Sequence, residues 1–275
     1  MRYYSLGGQS PLVDFKQAVY QGQAPDGSLY FPARIPILDQ DWLSTYRKKD
    51  KSQIALEVMR PYVENEIPET VFQRICEETC SFDFPLVRVQ EGISALELFH
   101  GPTMAFKDVG ARFMSRCLSY FVQEENKEVT VLVATSGDTG AAVANGFSGA
   151  EGVQVIVLYP SGKVSEFQEL QMACGLPNVT ALEVNGNFDD CQNLVKQAFA
   201  DPGLRKQKFI TSANSINVAR WLPQQIYYFL ALQHRMLDEA PVISVPSGNF
   251  GNLCAGLLAR ASGLPVSHFI AACNS

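Results

Sequence analysis

From residue 129 onward, runs of continuously apolar, β-branched residues alternate with longer Ala- and Leu-rich stretches. VTVLVA (129–134), VQVIVLY (153–159), VTALEV (179–184) and VISVP (242–246) predict strands. Helices are expected from near Thr139, from Ser165 to Cys174, from Asp189 to Phe199, and through Ala261 after the last of these strands. Strands that are apolar on both faces and take turns with helices imply a parallel sheet covered on both sides. Ile216 to Leu237 reads as one long amphipathic segment, and VSHFIAACNS (266–275) as a strand with no helix after it. Residues 1–95 differ: short helical patterns are joined by connections such as Phe31-Pro32 and Ile67-Pro68, without strand–helix alternation. The expected organisation is a mainly helical region at 1–95, an α/β unit at 96–240, and the start of a second, larger α/β unit at 241–275.

Composition narrows the function classes. The chain has 275 residues, 47% hydrophobic and 18% charged, which is enough apolar material for a sizeable core. Its net charge of -6 opposes attraction to phosphate backbones, so nucleic acid is not an expected partner. No apolar run is long enough for a membrane span, and MRYYSLGGQS lacks the apolar core of a signal peptide, so a cytoplasmic location is expected. Cysteines 76, 80, 117, 174, 191, 254 and 273 form no CxxC pair, and the three histidines lie away from Cys76 and Cys80. Reduced, mostly packed thiols are expected, with no metal site.

Two loops, TSGDTG (135–140) and SGNFGN (247–252), fall where a parallel strand ends and a helix begins. Small residues there let backbone N–H groups approach an anion, and the helix N-terminus adds unsatisfied donors. Each loop is a phosphate or carboxylate cradle or, read more plainly, a tight turn whose Ser and Asp only cap a helix. Neither fits G-x-G-x-x-G and no P-loop is present, so an adenine cofactor is not implied. The third element is HGPTMAFKDVGARFM (100–114), in which Lys107 follows apolar neighbours and precedes Asp108. Desolvation turns a lysine amine into a nucleophile towards an aldehyde; in isolation, a lysine beside an acid at a helix start is a solvated surface residue.

FHGPTMAFKD, ATSGDTGAAVA and VPSGNFGN, in that order, resemble the signature segments of the threonine synthase family of fold type II pyridoxal-phosphate enzymes. Weaker similarity runs through YYSL, QAVYQG, LYFP and LELFHGPT to LPVSHFIAACN, so it covers essentially the whole chain. The resemblance implies an α/β architecture of parallel three-layer sheets, like the tryptophan synthase β fold, and pyridoxal 5′-phosphate as cofactor. It implies that Lys107 holds the cofactor aldehyde as a Schiff base and moves protons on the substrate, and that Ser247, Gly248, Asn249, Phe250, Gly251 and Asn252 cradle the cofactor phosphate. Asp138 would face the cofactor's phenolic oxygen, where more distant relatives place Asn; a carboxylate accepts there, or donates only when protonated. Ser136, Gly137 and Thr139 would meet the substrate carboxylate, and Asn214, Ser215 and Arg220 of ANSINVAR the phosphate of O-phospho-L-homoserine. For Arg220 the plainer reading is a pair with a carboxylate on an exposed helix face.

The implied reaction replaces that phosphate and adds water to give L-threonine. Family members continue beyond the point matching residue 275, so the chain reads as C-terminally truncated. Two other readings stay open here: a serine or threonine dehydratase-like enzyme, and a fragment that binds cofactor without turnover.

Overall fold

The computed structural model describes residues 1–173, 175–234 and 239–273. The first part of the chain carries β1 (Tyr3–Ser5), α1 (Phe15–Gln21), β2 (Tyr30–Pro32), α2 (Gln40–Thr45), α3 (Lys51–Val63), α4 (Glu69–Thr79), β3 (Leu86–Gln90) and β4 (Ile93–Leu96). Helices dominate, as the sequence pattern predicts, but β1 with β2 and β3 with β4 add two short antiparallel pairs that it does not reveal. Local capping sets the helix starts. Asp14 accepts from the Gln17 N–H ahead of α1, and Asp50 with Gln53 forms a reciprocal capping box ahead of α3.

The long α5 (Asp108–Glu124) then leads into β5 (Val129–Ala134), α6 (Asp138–Phe147), β6 (Val153–Pro160), α7 (Glu166–Ala173), β7 (Val179–Val184), α8 (Phe188–Ala200), α9 (Pro202–Gln207) and β8 (Ile210–Ser212). The four strands form one all-parallel sheet in the order β7-β6-β5-β8. Alternation along the strands sorts side chains to two faces. Val131, Val133, Val155 and Val157 join the main core, whereas Leu132, Ala134 and Leu158 meet Cys191 and Val195 of α8 in a second cluster. Both faces are therefore covered, as the apolar runs require.

The chain runs outward from β5 through β6 to β7, then returns to place β8 on the opposite flank of β5. The order thus reverses between β5 and β8, and the crevice at the carboxyl ends of these two strands is the topological switch point, where open α/β sheets bind ligands. Strand β8 is only three residues long, too short for a periodicity signal, so the switch point is not visible in the hydrophobic pattern.

The expected amphipathic segment from Ile216 is instead broken and buried. It divides into α10 (Val218–Trp221), a 3₁₀ turn at Leu222–Gln224 and α11 (Gln225–Gln233). Pro223 has no N–H to continue the ladder, and residues 218–230 are buried throughout, so the segment has no solvated face. Residues 235–237 of that expectation, Cys174 at the end of the α7 expectation, and residues 274–275 of the last strand lie outside the described residues. Finally β9 (Val242–Pro246), α12 (Gly251–Ala261) and β10 (His268–Ala272) follow, with β9 and β10 a separate two-stranded parallel pair. One continuous apolar core runs from Met1 to Val266, without a break near residue 95 or 240.

Candidate active site

Lys107 occupies the N-cap of α5, immediately after the tight turn Gly101–Phe106. That turn is tied back to the helix by Asp108: Thr103 donates through its N–H to Oδ2 (3.0 Å) and through Oγ1 to Oδ1 (2.5 Å). Gly101 leaves the room this needs, since a Cβ there would lie 2.4 Å from Asp108 Oδ2. Met104 takes a left-handed φ of 55°, an uncommon conformation for a residue with a side chain, and so turns the chain towards Lys107. From the core side, the Tyr227 hydroxyl of α11 donates to the Phe106 carbonyl. Asp108 is buried, which pushes its carboxyl up, against the pull of its bonds from Thr103.

The lysine amine is itself largely enclosed, with its side chain 19% exposed. Burial lowers its proton affinity, Asp138 pulls it back up, and Arg220 lowers it further. Asp138 Oδ2 lies 3.6 Å from Lys107 Nζ, and the Phe106 ring lies 4.8 Å beneath the same amine. The isolated-residue reading of Lys107 as a solvated surface lysine is therefore incorrect.

Asp138 opens α6 at the end of the TSGDTG loop, which is rigidly built. The buried Thr135 Oγ1 accepts from the N–H groups of Gly137 (2.9 Å) and Gly140 (2.8 Å) and donates to the Gly137 carbonyl (3.1 Å). Ser136 and Asp138 are exposed, Thr139 is half-buried and Gly137 is buried. The other oxygen of Asp138 accepts from Gln168 Nε2 of α7 at 2.6 Å. Gly137, at φ 143°, passes directly under that amide, and a Cβ there would stand 2.5 Å from Gln168 Oε1.

Across the switch point, Asn214 stitches the ends of β5 and β8 together. Its Nδ2 donates to the Ala134 carbonyl (2.8 Å), and its Oδ1 accepts from the Ala134 N–H (3.3 Å). Ser215 is half-buried in the turn that follows. Arg220 is 1% exposed, so a pair with a carboxylate on a solvated face is ruled out. One arm of its guanidinium donates to the Ala213 carbonyl, while Nε is buried and donates to nothing among the described residues. Burial pushes this arginine down to about 10, with Tyr227 and Asp108 opposing. Helix α5 meets Arg220 closely: a Cβ on Gly110 would sit 2.2 Å from the Arg220 carbonyl.

The SGNFGN loop runs between β9 and α12. Ser247 donates its N–H to Ala272 of β10, and Phe250 takes φ 59° just before the helix. The N–H groups of Gly248, Asn249 and Phe250 donate to nothing among the described residues, and Gly248 has open space where a Cβ would stand. Gly251 and Asn252 begin α12, and the Tyr228 hydroxyl donates to the Asn252 side-chain oxygen at 2.6 Å. The neighbouring tyrosines of α11 thus hold the residue before Lys107 and the end of this loop.

Sequence reasoning misses Thr135 as the loop's organiser, Gln168 as Asp138's partner, and the two tyrosines. For Gln168 a signal exists: Ser165 and Gln168 have the S-x-x-Q spacing of a capping box. Among the described residues, no cluster of three or more His, Cys, Asp or Glu could hold a metal, and no helix is long and apolar enough to cross a membrane.

Comparison with known proteins bears out the resemblance drawn from the three segments. Residues 2–80 match the family model for the threonine synthase N terminus, and residues 87–275 match that for pyridoxal-phosphate dependent enzymes. The chain is 46% identical to threonine synthase of Buchnera aphidicola subsp. Baizongia pistaciae and 43% identical to that of Escherichia coli, in each case along 100% of its own length. It spans 65% and 64% of those two proteins. Among solved structures, a PLP-bound threonine synthase from Brucella melitensis superposes with a TM-score of 0.93 at 40% identity, over 99% of this chain and 60% of that one. The Escherichia coli enzyme does so with a TM-score of 0.92 at 42% identity, over 100% of this chain and 64% of that one.

Proposed function

The chain belongs to the pyridoxal-phosphate dependent enzyme family, and from that premise we propose that it carries the lysine-bearing part of a lyase that converts O-phospho-L-homoserine and water to L-threonine and phosphate. The observation that carries this reading is the meeting at the switch point of an enclosed lysine amine, a carboxylate 3.6 Å away and a buried guanidinium whose Nε has no partner among the described residues.

The chain's own groups fit the cofactor. The three successive N–H groups of Gly248, Asn249 and Phe250, just ahead of the 11-residue α12 and without an acceptor among the described residues, suit a phosphate, and Lys107 suits an aldehyde because burial favours its neutral, nucleophilic form. In this reading Lys107 and the Ser247–Asn252 loop would hold pyridoxal 5′-phosphate, which when bound supplies a ring that takes up negative charge developing on the substrate carbons.

Lys107 moves protons between substrate carbons, helped by a proton affinity already below that of a free lysine. Asp138 keeps a negative group beside that amine, and the exposed Ser136 and half-buried Thr139 would offer hydrogen-bonding groups to a substrate carboxylate on either side of Gly137, whose N–H and carbonyl are held by Thr135. Arg220 would act on the substrate phosphate through its positive field from a buried position, its Nε having no hydrogen-bond partner among the described residues, with Asn214 and Ser215 in the turn before its helix. The amide of Asn214 is largely engaged with Ala134, so its contribution is to fix the wall of the crevice.

An absorption spectrum of the chain with pyridoxal phosphate, for wild type and Lys107→Ala, followed by phosphate release from O-phosphohomoserine, tests the reading. A visible band that vanishes in Lys107→Ala, with phosphate release by the wild type, is the expected result. A lysine-dependent band without release would confine this chain to holding the cofactor, and no band would overturn the reading.

A further inference from the structure

We propose that Gln168 is a positioning residue that holds the Asp138 carboxylate within reach of Lys107, and so governs when the lysine amine is protonated. The inference deepens the reading of Lys107 as the working amine and rests on it. Asp138 is half-exposed at the first position of α6, where water competes for its carboxylate. An unassisted side chain there would share its time among solvent, the helix N-terminus and Lys107.

Gln168 removes that freedom through a fixed geometry. Its Oε1 accepts from the N–H (3.3 Å) and the hydroxyl (3.1 Å) of Ser165, while Ser165 Oγ accepts from the Gln168 N–H (3.2 Å). This is the reciprocal capping box at the start of α7, so the carbonyl end of the amide is committed and the NH₂ end has to point away from it. It points at Asp138 Oδ1, 2.6 Å distant, leaving Oδ2 turned to Lys107 Nζ at 3.6 Å. Gly137 has no side chain to block the approach: a Cβ there would overlap all three terminal atoms of Gln168 at 2.5–2.6 Å. The cap of one helix thereby orients the counter-ion of an amine at the start of another.

The charged groups acting on Lys107 are Asp138 and Arg220. Asp108, its chain neighbour, is turned to Thr103. On α7, Glu169 accepts from the Tyr159 hydroxyl, and Glu166 is exposed at the helix start. Asp138 is therefore the group through which Gln168 acts.

Competitive labelling of Lys107 with acetic anhydride across a pH series, read by mass spectrometry on the cofactor-free chain, gives the amine's titration midpoint directly. A nearby opposite charge raises a lysine by one to three units, reduced here by solvent, so Gln168→Met should lower the midpoint by about 0.5–1 pH unit. The same substitution in an Asp138→Ala background should leave it unmoved, because the carboxylate it positions is gone. Ser165→Ala, which removes one of the two bonds to the Gln168 carbonyl but keeps the amide donor, should shift it in the same direction by less. An unmoved midpoint in Gln168→Met, or an equal shift with and without Asp138, would overturn the assignment, the latter marking a merely structural role for α7. The label reads the bare amine, so a failure to bind pyridoxal phosphate would overturn the proposed function and leave this test standing.

Discussion

The TSGDTG and SGNFGN loops share one local grammar, a strand end, a run of small residues and a helix start, yet the fold holds them in opposite ways. The first follows β5, buried at every position but one in a sheet covered on both faces, and the Gly137 and Gly140 N–H groups within it are already taken up by Thr135. The second follows β9, buried at a single position in a two-stranded pair, and the N–H groups of Gly248, Asn249 and Phe250 donate to nothing among the described residues. A sheet with two covering layers produces a rigid loop that presents side chains, here Asp138 towards Lys107. A lightly covered pair produces a loop that presents backbone donors, as an incoming phosphate needs.

The sharpest way to break this comparison is a matched pair of glycine substitutions. Gly140→Ala drives a methyl to 2.3 Å from Met172 Sδ and 2.5 Å from Thr135 Cγ2, whereas at Gly248 a methyl meets nothing within 4 Å. Urea unfolding should show a loss of about 2–3 kcal/mol for the first, by overpacking. For the second it should show a change within about 0.5 kcal/mol, with weaker binding of pyridoxal phosphate. Equal losses at the two glycines would mean that the loops do not differ in how they are held.

Hydroxyls offer a finer cut. Thr135→Val keeps the shape but strands the buried Gly137 N–H, while the Gly140 N–H retains its bond to the Gly137 carbonyl. The expected loss is about 1–2 kcal/mol. Ser247→Ala removes a hydroxyl with no partner among the described residues and should be close to neutral in the same thermal or urea melt. A neutral Thr135→Val would show that the TSGDTG loop is shaped by its helix rather than by that hydroxyl.

The same contrast explains what the sequence disclosed. β5, β6, β7 and β9 are legible because each is a short stretch rich in β-branched residues, and Lys107 with the two loops is legible because their segments are contiguous and distinctive. Strand β8 is invisible at three residues, and with it the switch point where Asn214 joins the ends of β5 and β8. The burial of Arg220 is equally hidden: ANSINVAR reads as the start of an amphipathic helix until α5 is seen to close on it through Gly110. Thr135, Gln168 and Tyr227 act through contacts made between elements, and only the capping-box spacing of Ser165 and Gln168 leaves a trace in the chain.

The smallest expected effect tests whether the tight half of the site carries a penalty that the open half escapes. Burial lowers the proton affinity of Lys107 below that of an ordinary lysine, so the folded chain disfavours the charged amine. Between the lowered folded value and the ordinary one near 10.4, the unfolded chain binds more protons, and stability therefore rises with pH across that window. Below the window the penalty is present in full; above it the penalty is gone. Lys107→Met keeps the apolar stem and removes the amine, and the half-exposed Asp138 it leaves behind is hydrated at little cost. At about pH 7 the variant should be more stable than wild type by about 0.5–1 kcal/mol, as expected where an enclosed functional group is removed, with the gap closing towards about pH 10. Urea midpoints for both proteins at the two pH values measure it directly. A variant that is less stable at neutral pH, or a gap that widens with pH, would mean that Asp138 more than compensates the burial of Lys107, and that the rigid half of the site is relaxed rather than held against a cost.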